Sequence, residues 1–156
     1  DVGGTEMSAA TLVDIRANIV HATATAAQYA DLAERYATDT PVEAGDVVML
    51  GGIEEITKCE EAVSDAVFGV VSSSPAYLMN SEAGNNDTHP AIALTGRVPV
   101  KVRGTGKAGD RIVSAGSGEA RVAAEDEATT FNTLGRLIKD KYNEETALTE
   151  CVIGVK

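Results

Sequence analysis

The residues best suited to catalyse a reaction are two carboxylates, Asp31 and Glu34, which lie three positions apart. On a helix or a turn this spacing places both side chains on one face. Two carboxylates held close together do not both ionise easily, so one can keep a proton near neutral pH. Such a pair can act as general acid and general base on a nearby peptide bond. The simpler interpretation is two acidic side chains on a solvated turn, and the spacing by itself favours it.

Other arrangements that carry chemistry are missing from the sequence. No GxSxG motif occurs, and the SAGSG stretch at 114–118 has the spacing of a hairpin turn. The GTGKAG stretch at 104–109 lacks the spacing and the Lys-Ser/Thr ending of a phosphate-binding loop. Cys59 and Cys151 are far apart, with no CxxC motif. That pattern predicts reduced, partly buried thiols rather than a zinc site or a disulfide framework.

Composition and charge disfavour several classes of function. The 156 residues include 13 Lys and Arg against 24 Asp and Glu, a net charge of −11. Nucleic acid and anionic membrane surfaces are therefore poor partners. The acidic residues concentrate between 29 and 100, but no DxDxDG pattern accompanies them, so we predict no metal site and no cofactor. The apolar runs are too short to cross a bilayer.

The segment before the acidic pair favours an extended conformation. Val13, Ile15, Ala17 and Ile19 alternate with polar residues, which is typical of a half-buried strand. The small Ala and Thr side chains that follow build a thin, poorly filled layer. We therefore predict that residues 1–28 form a shaft-like β arm that depends on sister copies, with Ile15 and Ile19 in contacts between chains.

The segment that carries the acidic pair has a different composition. Ala, Leu, Gln, Glu and Arg at 26–36 favour a helix. Tyr29, Leu32 and Tyr36 recur there at helical spacing, so we predict one short helix with these three side chains at an oligomer interface. A second short helix is predicted near 131–142.

The remainder of the chain is predicted to be β and internally duplicated. Short β-type runs bounded by Gly-rich turns fill it, which favours a β-dominated domain at 29–156. Similar segments occur in the same order in the half-units 41–102 and 103–156, so each half should present one apolar face and the two should close as a small barrel or sandwich. The matching segments are AGD at 44–46 and 108–110, FGVV at 68–71 and LGRL at 134–137, and ALT at 93–95 and 147–149.

The two Gly-Asp pairs in this repeat are interpreted as turns. Gly45 and Gly109 accept a positive φ that other residues adopt only with strain. Asp46 and Asp110 can accept hydrogen bonds from the amides of their own turns. A structural role is therefore predicted for both aspartates.

The first half-unit carries an insertion at 72–90 with no counterpart in the second. A long Pro, Asn and Gly loop inside a small domain is usually functional or part of an interface. Its apolar residues require cover, which a neighbouring subunit or a receptor could supply. The candidate contact residues are Tyr77, Leu78, Met79, Asn80, Asn85 and Asn86.

Taken together, several segments resemble the C-terminal intramolecular chaperone domain, or peptidase G2-type autoproteolytic domain, of bacteriophage tail fibres and neck appendages. They span residues 26–115, and the similarity continues more loosely to the end of the chain. The segments are YADLAERY at 29–36, AGDVV at 44–48, GVVS at 69–72, PAYLMN at 75–80, ALTGRVPVKV at 93–102 and GD at 109–110.

This resemblance implies a homotrimer at the tip of a virion fibre. The domain would start trimer assembly and bring three shaft strands into register, and other tail proteins or a host receptor could be partners. In autoproteolytic relatives the domain is then removed, and the acidic chemistry of that cleavage maps to Asp31 and Glu34. A permanent structural tip, an active self-cleaving domain and a surface decoration or receptor-binding domain all remain open.

Overall fold

The protein, seen in a computed structural model, is described over residues 30–155. Within that range it contains ten β-strands and no helix, which confirms the mainly β prediction. The arm predicted at 1–28, with Ile15 and Ile19, and the interface residue Tyr29 lie outside the described residues. The strands are β1 (Asp31–Arg35), β2 (Val47–Leu50), β3 (Ile56–Lys58), β4 (Val67–Val71), β5 (Tyr77–Met79), β6 (Ala91–Arg103), β7 (Arg111–Gly116), β8 (Glu119–Val122), β9 (Gly135–Leu137) and β10 (Ala147–Ile153).

The longest strand, β6, organises the fold. Its second half alternates strictly, with Val98, Val100 and Val102 buried and Arg97 and Pro99 exposed. This period of two is typical of a strand with one face against a core. Over its 13 residues β6 pairs with β1, β4, β8 and β10, so four strands depend on it for backbone hydrogen bonds.

Five of the described strands close into a small barrel. Going round it, β6 pairs with β8, β8 with β7, β7 with β9, β9 with β10 and β10 again with β6. The β6–β8 pair is parallel and the other four are antiparallel. A small barrel, one of the two predicted architectures, is therefore present, but four of its five strands come from the second predicted half-unit. Its core consists chiefly of Val98, Val100, Val102, Ile112, Leu134, Leu137, Cys151 and Ile153.

The other strands extend from the first half of β6. There β4 continues to β2 and β3, while β1 pairs with β6 and β5. A second apolar cluster of Val48, Ile56, Val71 and Ile92 fills this part, with Tyr36 and Phe68 packed against it. The order of pairing in β2, β3, β4 and β6 is the same as in β7, β8, β9 and β10.

Both predicted helices are wrong. Residues 31–35 form β1, hydrogen-bonded between β5 and β6, with Ala33 fully buried. Residues 135–137 form β9, where a side chain on Gly135 would collide with the backbone of Val152 on β10. Helix propensity amounts to tenths of a kcal/mol per residue, and pairing with neighbouring strands outweighs it in both segments.

The two Gly-Asp turns behave as predicted. Gly45 and Gly109 have φ values of 88° and 94°. Asp46 Oδ2 accepts a hydrogen bond from the Glu43 amide at 2.9 Å, and Asp110 Oδ2 accepts one from the Lys107 amide at 2.8 Å. Each aspartate therefore satisfies an amide of its own turn.

Asp46 also carries a buried ionic contact that Asp110 lacks. Its carboxylate is 1% exposed and contacts Lys101 Nζ at 2.6 Å and Lys58 Nζ at 3.2 Å. Burial raises the pKa of Asp46, but hydrogen bonds from Lys101, from the Glu43 amide and from Lys58 lower it by more. The pKa of Asp46 is therefore below its ordinary value. The contact joins β3 and β6 to the turn before β2.

We expect Asp46→Asn to destabilise the protein by about 3 kcal/mol at pH 7, because Lys58 loses its carboxylate partner and Lys101 keeps only the exposed Glu43. The wild-type carboxylate has a lower pKa folded than unfolded, so its contribution is full above about pH 4 and disappears as the pH falls through the folded value. Urea denaturation of the wild type and of Asp46→Asn from neutral to acidic pH checks this. The difference between their free energies of unfolding should become smaller on acidification.

Asp110→Asn is the matched control for this measurement. It changes the equivalent turn without touching a lysine pair, and it should cost about 1 kcal/mol or less. Equal losses in the two variants would show that the Asp46 ionic contact adds nothing to stability.

Candidate functional site

The predicted catalytic residue Asp31 lies where the described chain joins the barrel. It is the first residue of β1 and lies opposite Gly96 of β6. Gly96 has a φ of 108°, and a side chain there would collide with the backbone of Ala30 and Asp31. The Arg97 amide donates to the Ala30 carbonyl at 3.2 Å, and the Ala76 amide donates to the Asp31 carbonyl at 2.9 Å. The start of β1 is thus held from both sides by backbone contacts.

The Asp31 side chain is buried but incompletely satisfied. Only 5% of the residue is exposed, and its Oδ2 atom has no hydrogen-bond partner among residues 30–155. An unsatisfied buried polar atom costs about 1–3 kcal/mol. Native proteins keep few such groups, and several of those are functional. Arg35 Nε and Asp39 Oδ1 are the other such atoms in the described range, but Arg35 donates through Nη1 to Asn86 and Asp39 Oδ2 accepts from the Ile53 amide.

A groove of about 330 Å³ opens beside Asp31. Its polar groups are Asp31, the three consecutive serines 72–74, Arg97 and Glu150. Arg97 and Glu150 form an exposed ion pair at 3.8 Å across β6 and β10. The Ser72 amide donates to the Ala91 carbonyl at 2.8 Å, which fixes the serine segment beside β6. A carboxyl group and several hydroxyls next to an entering chain can bind a peptide backbone or exchange protons with it.

Glu34 does not share a face with Asp31, so this expectation was wrong. The two residues lie three positions apart on a strand, where successive side chains alternate between faces. Glu34 instead accepts a hydrogen bond from the Tyr36 hydroxyl at 2.7 Å. Burial, together with the nearby Glu34, raises the pKa of Tyr36 to about 12. The catalytic roles of Asp31 and Glu34 stay a prediction.

The predicted interface residues Leu32 and Tyr36 are half-buried within their own domain. Leu32 lies opposite Tyr77 of β5 and Thr95 of β6. Tyr36 packs edge-on against Phe68, with ring centroids 5.1 Å apart. Both therefore contribute to the fold, and the predicted role between chains stays a prediction.

The inserted loop contains a β-strand, which its composition does not predict. Tyr77, Leu78 and Met79 form β5, whose backbone pairs in parallel with β1. Leu78 and Met79 are half-buried, whereas Tyr77 is 65% exposed. Part of the cover predicted to come from another subunit is thus supplied by β1, and Tyr77 remains the most accessible apolar contact residue of the three.

The loop asparagines hold the insertion together. Arg35 Nη1 donates to Asn86 Oδ1 at 2.9 Å and to the His89 carbonyl at 2.6 Å. Asn80 Nδ2 donates to the Arg35 carbonyl at 3.3 Å, and Asn85 Oδ1 accepts from the amide of residue 87 at 2.9 Å. These side chains make hydrogen bonds within the chain. A receptor that binds them would have to leave these bonds intact or replace them.

Several other features bear on possible chemistry. Cys59 and Cys151 are both free and buried, and burial raises the pKa of Cys151 to about 12. Among residues 30–155, no group of three or more His, Cys, Asp or Glu side chains is placed to hold a metal ion. The same range has no helix that is long and apolar enough to cross a membrane.

Sequence reasoning missed the groove around Asp31. In the sequence the serines 72–74 stand out only as the start of the 72–90 insertion, and Arg97 and Glu150 belong to no catalytic motif. Glu150 lies 53 positions after Arg97, and only the β6–β10 register brings the two together.

Comparisons with known proteins identify the fold. The chain is similar to the crystal structure of the pre-mature bacteriophage phi29 gene product 12, with a TM-score of 0.61 and 16% identity over 88% of this chain and 23% of that one. It is also similar to a C-terminal fragment of the same gene product, with a TM-score of 0.57 and 17% identity over 81% of this chain and 100% of the fragment. No protein-family model matches the sequence, and no curated protein does. The chain thus spans about a quarter of the pre-mature protein and the whole of its C-terminal fragment.

We expect Asp31→Asn to raise the free energy of unfolding of the full chain by about 1 kcal/mol at pH 7, because an amide carries no buried charge. Thermal or urea denaturation checks this, with Glu34→Gln as the control on the same strand. A loss of more than 1 kcal/mol in Asp31→Asn would show instead that the carboxylate stabilises the fold, which would remove the reason to regard Asp31 as functional.

Proposed function

We propose that this protein is the C-terminal tip of a bacteriophage tail fibre or appendage, located in the virion, where it joins three copies and guides their folding. The observation that carries the proposal is the fold likeness to a phage gene product, which extends over the whole of that protein's C-terminal fragment. The resemblance of segments such as YADLAERY and ALTGRVPVKV to the intramolecular chaperone domain supports the same function.

The physical logic of this function lies in the contrast between the two parts of the chain. The sequence of the predicted arm offers mostly small side chains with little apolar surface to bury, and bringing separate chains together carries an entropic cost. The barrel, in contrast, has a valine-rich core whose burial favours folding of each copy. Association of three barrels would then hold three arms at a high effective concentration and in register.

An internal duplication fits this proposal. The half-units at 41–102 and 103–156 share their order of strand pairing and their Gly-Asp turns. Gly45 donates to the Val71 carbonyl at 2.9 Å, and Gly109 donates to the Leu137 carbonyl at 2.8 Å in the same way. The ALT segments do not correspond, because Ala93 lies opposite Val70, whereas the residue opposite Arg136 is Val152.

We expect the double variant Ile15→Ser and Ile19→Ser to weaken association of the full chain by tenfold or more, because each apolar side chain contributes about 1.5–3 kcal/mol when buried. Unfolding of the barrel should be unchanged. Analytical ultracentrifugation over a concentration series, combined with urea denaturation, separates the two effects.

Ile53→Ser provides the control, since Ile53 is 91% exposed and far in sequence from the arm. It should leave association unchanged. Equal association constants for the wild type and the arm variant would show that the arm is not part of the interface.

Self-cleavage is the second candidate function. It is favoured by the unsatisfied Asp31 carboxyl at the junction with the arm and by the existence of both a pre-mature form and a C-terminal fragment in the similar phage structures. In this case Asp31 would serve as the acid or base, with the serines 72–74 and Arg97 positioning the peptide.

Denaturing gels of the natural protein test this candidate. Self-cleavage predicts two bands for the wild type, one band for Asp31→Asn and two for Glu34→Gln, because Glu34 is engaged with Tyr36 on another face. A single full-length band for the wild type would reject cleavage and leave a permanent tip. Two bands that persist in Asp31→Asn would reject the role of Asp31.

A further inference from the structure

The side chain of Tyr142 is exposed but held in place by hydrogen bonds. The residue is 86% exposed, and its hydroxyl donates to Asp140 Oδ2 at 3.0 Å. Asp140 Oδ1 in turn accepts from the Ala108 amide at 2.8 Å, in the turn between β6 and β7. The far end of the tyrosine is thus tied to the barrel, while the flat face of its ring stays open to a ligand.

The backbone next to Tyr142 is fixed by a buried lysine. Lys141 is 7% exposed, and its Nζ donates to the carbonyl oxygens of Gly104, Asn143 and Glu145 at 2.7–2.8 Å. These bonds close the loop after β9 over the end of β6. A tyrosine that is held at its backbone and at its hydroxyl loses little conformational entropy when it binds a ligand.

The ring of Tyr142 borders a cavity of about 390 Å³ beside the turn between β6 and β7. We call this cavity the Tyr142 groove, and its other lining residues are Thr105, Gly106, Lys107, Asp110, Asp140 and Lys141. Tyr142 also lines a second groove of about 460 Å³ along β10, together with Leu148. Cavities of about 300–1,000 Å³ are of the size that binds small molecules.

The polar groups of the Tyr142 groove are mainly hydrogen-bond acceptors. The Ala108 amide and the Tyr142 hydroxyl lower the pKa of Asp140, so its carboxylate stays ionised near neutral pH. Asp110 Oδ2 accepts from the Lys107 amide at 2.8 Å, and each carboxylate oxygen has a second lone pair for a ligand. The exposed ammonium of Lys107 takes part in none of the ion pairs within residues 30–155 and can donate to a ligand oxygen. This lining favours an uncharged ligand with several hydroxyl groups over an anion.

We infer that the Tyr142 groove binds an uncharged sugar in its pyranose form, stacked on the ring of Tyr142 with hydroxyls donating to Asp110 and Asp140. A pyranose has an apolar C–H face and a rim of hydroxyls, so it can contact an aromatic face and polar groups at the same time. One stacked face and a few hydrogen bonds give a dissociation constant of about 1 mM. The site goes beyond the fibre-tip proposal and does not depend on it, because residues of one chain form it.

NMR titrations of the full ¹⁵N-labelled chain test this inference. The probes are methyl β-D-glucopyranoside, methyl β-D-galactopyranoside and N-acetyl-D-glucosamine, and glycerol is the control that has hydroxyls but no apolar ring face. We expect saturable shifts with at least one of the sugars, confined to the amides around 105–110 and 139–143, and none with glycerol. A linear trisaccharide of the responding sugar distinguishes the two sources. Binding about tenfold tighter than that of the monosaccharide assigns a unit of a polysaccharide, and equal binding assigns a free sugar.

Tyr142→Ser should weaken binding about tenfold or more, because it removes the stacking surface. Tyr142→Phe should weaken binding only about threefold, since the ring remains and only its hydrogen bond to Asp140 is lost. Phe131→Ser is the matched control. Its ring is 72% exposed but lines neither groove, so binding should be unchanged in this variant.

The inference is overturned if none of the three sugars produces saturable shifts up to about 50 mM. It is equally overturned if Tyr142→Ser binds as the wild type does, or if Tyr142→Phe loses as much affinity as Tyr142→Ser. Shifts of the same amides that follow protein concentration without sugar, and that Tyr142→Ser abolishes, would assign the ring to a contact between copies instead. Because Tyr142 is exposed, Tyr142→Ser should fold normally, and the dispersion of its ¹⁵N spectrum verifies this.

Discussion

The fold depends on the sharing of one strand between a closed barrel and an open sheet. β6 supplies backbone hydrogen bonds to β8 and β10 in the barrel and to β1 and β4 outside it. Every buried backbone amide needs a partner, so the register of β6 determines where each neighbouring strand can lie. Asp46 reinforces this arrangement by joining Lys101 of β6 to Lys58 of β3. The start of β1, with Asp31, is consequently fixed relative to the barrel.

Sequence patterns were informative where local chemistry determined the structure. The Gly-Asp turns follow from positive φ at Gly45 and Gly109 and from short-range bonds of the following aspartates. The helix predicted at 26–36 failed because its propensity was weaker than pairing with β5 and β6, which lie over 40 positions away. The same error produced the expectation that Asp31 and Glu34 share a face. Whether residues three apart meet depends on the element that carries them.

The candidate sites could be predicted only in part for a similar reason. Asp31 was singled out from its charge and spacing, but its groove is formed by serines at 72–74 and by Arg97 and Glu150, which long-range register brings together.

The central claim is that this domain associates as a trimer and thereby organises the arm that precedes it. Sedimentation equilibrium of residues 1–156 at micromolar concentration tests it most directly. The account predicts a single species with three times the 16.1 kDa mass of one chain. A single species of 16.1 kDa that persists as the concentration rises would contradict it.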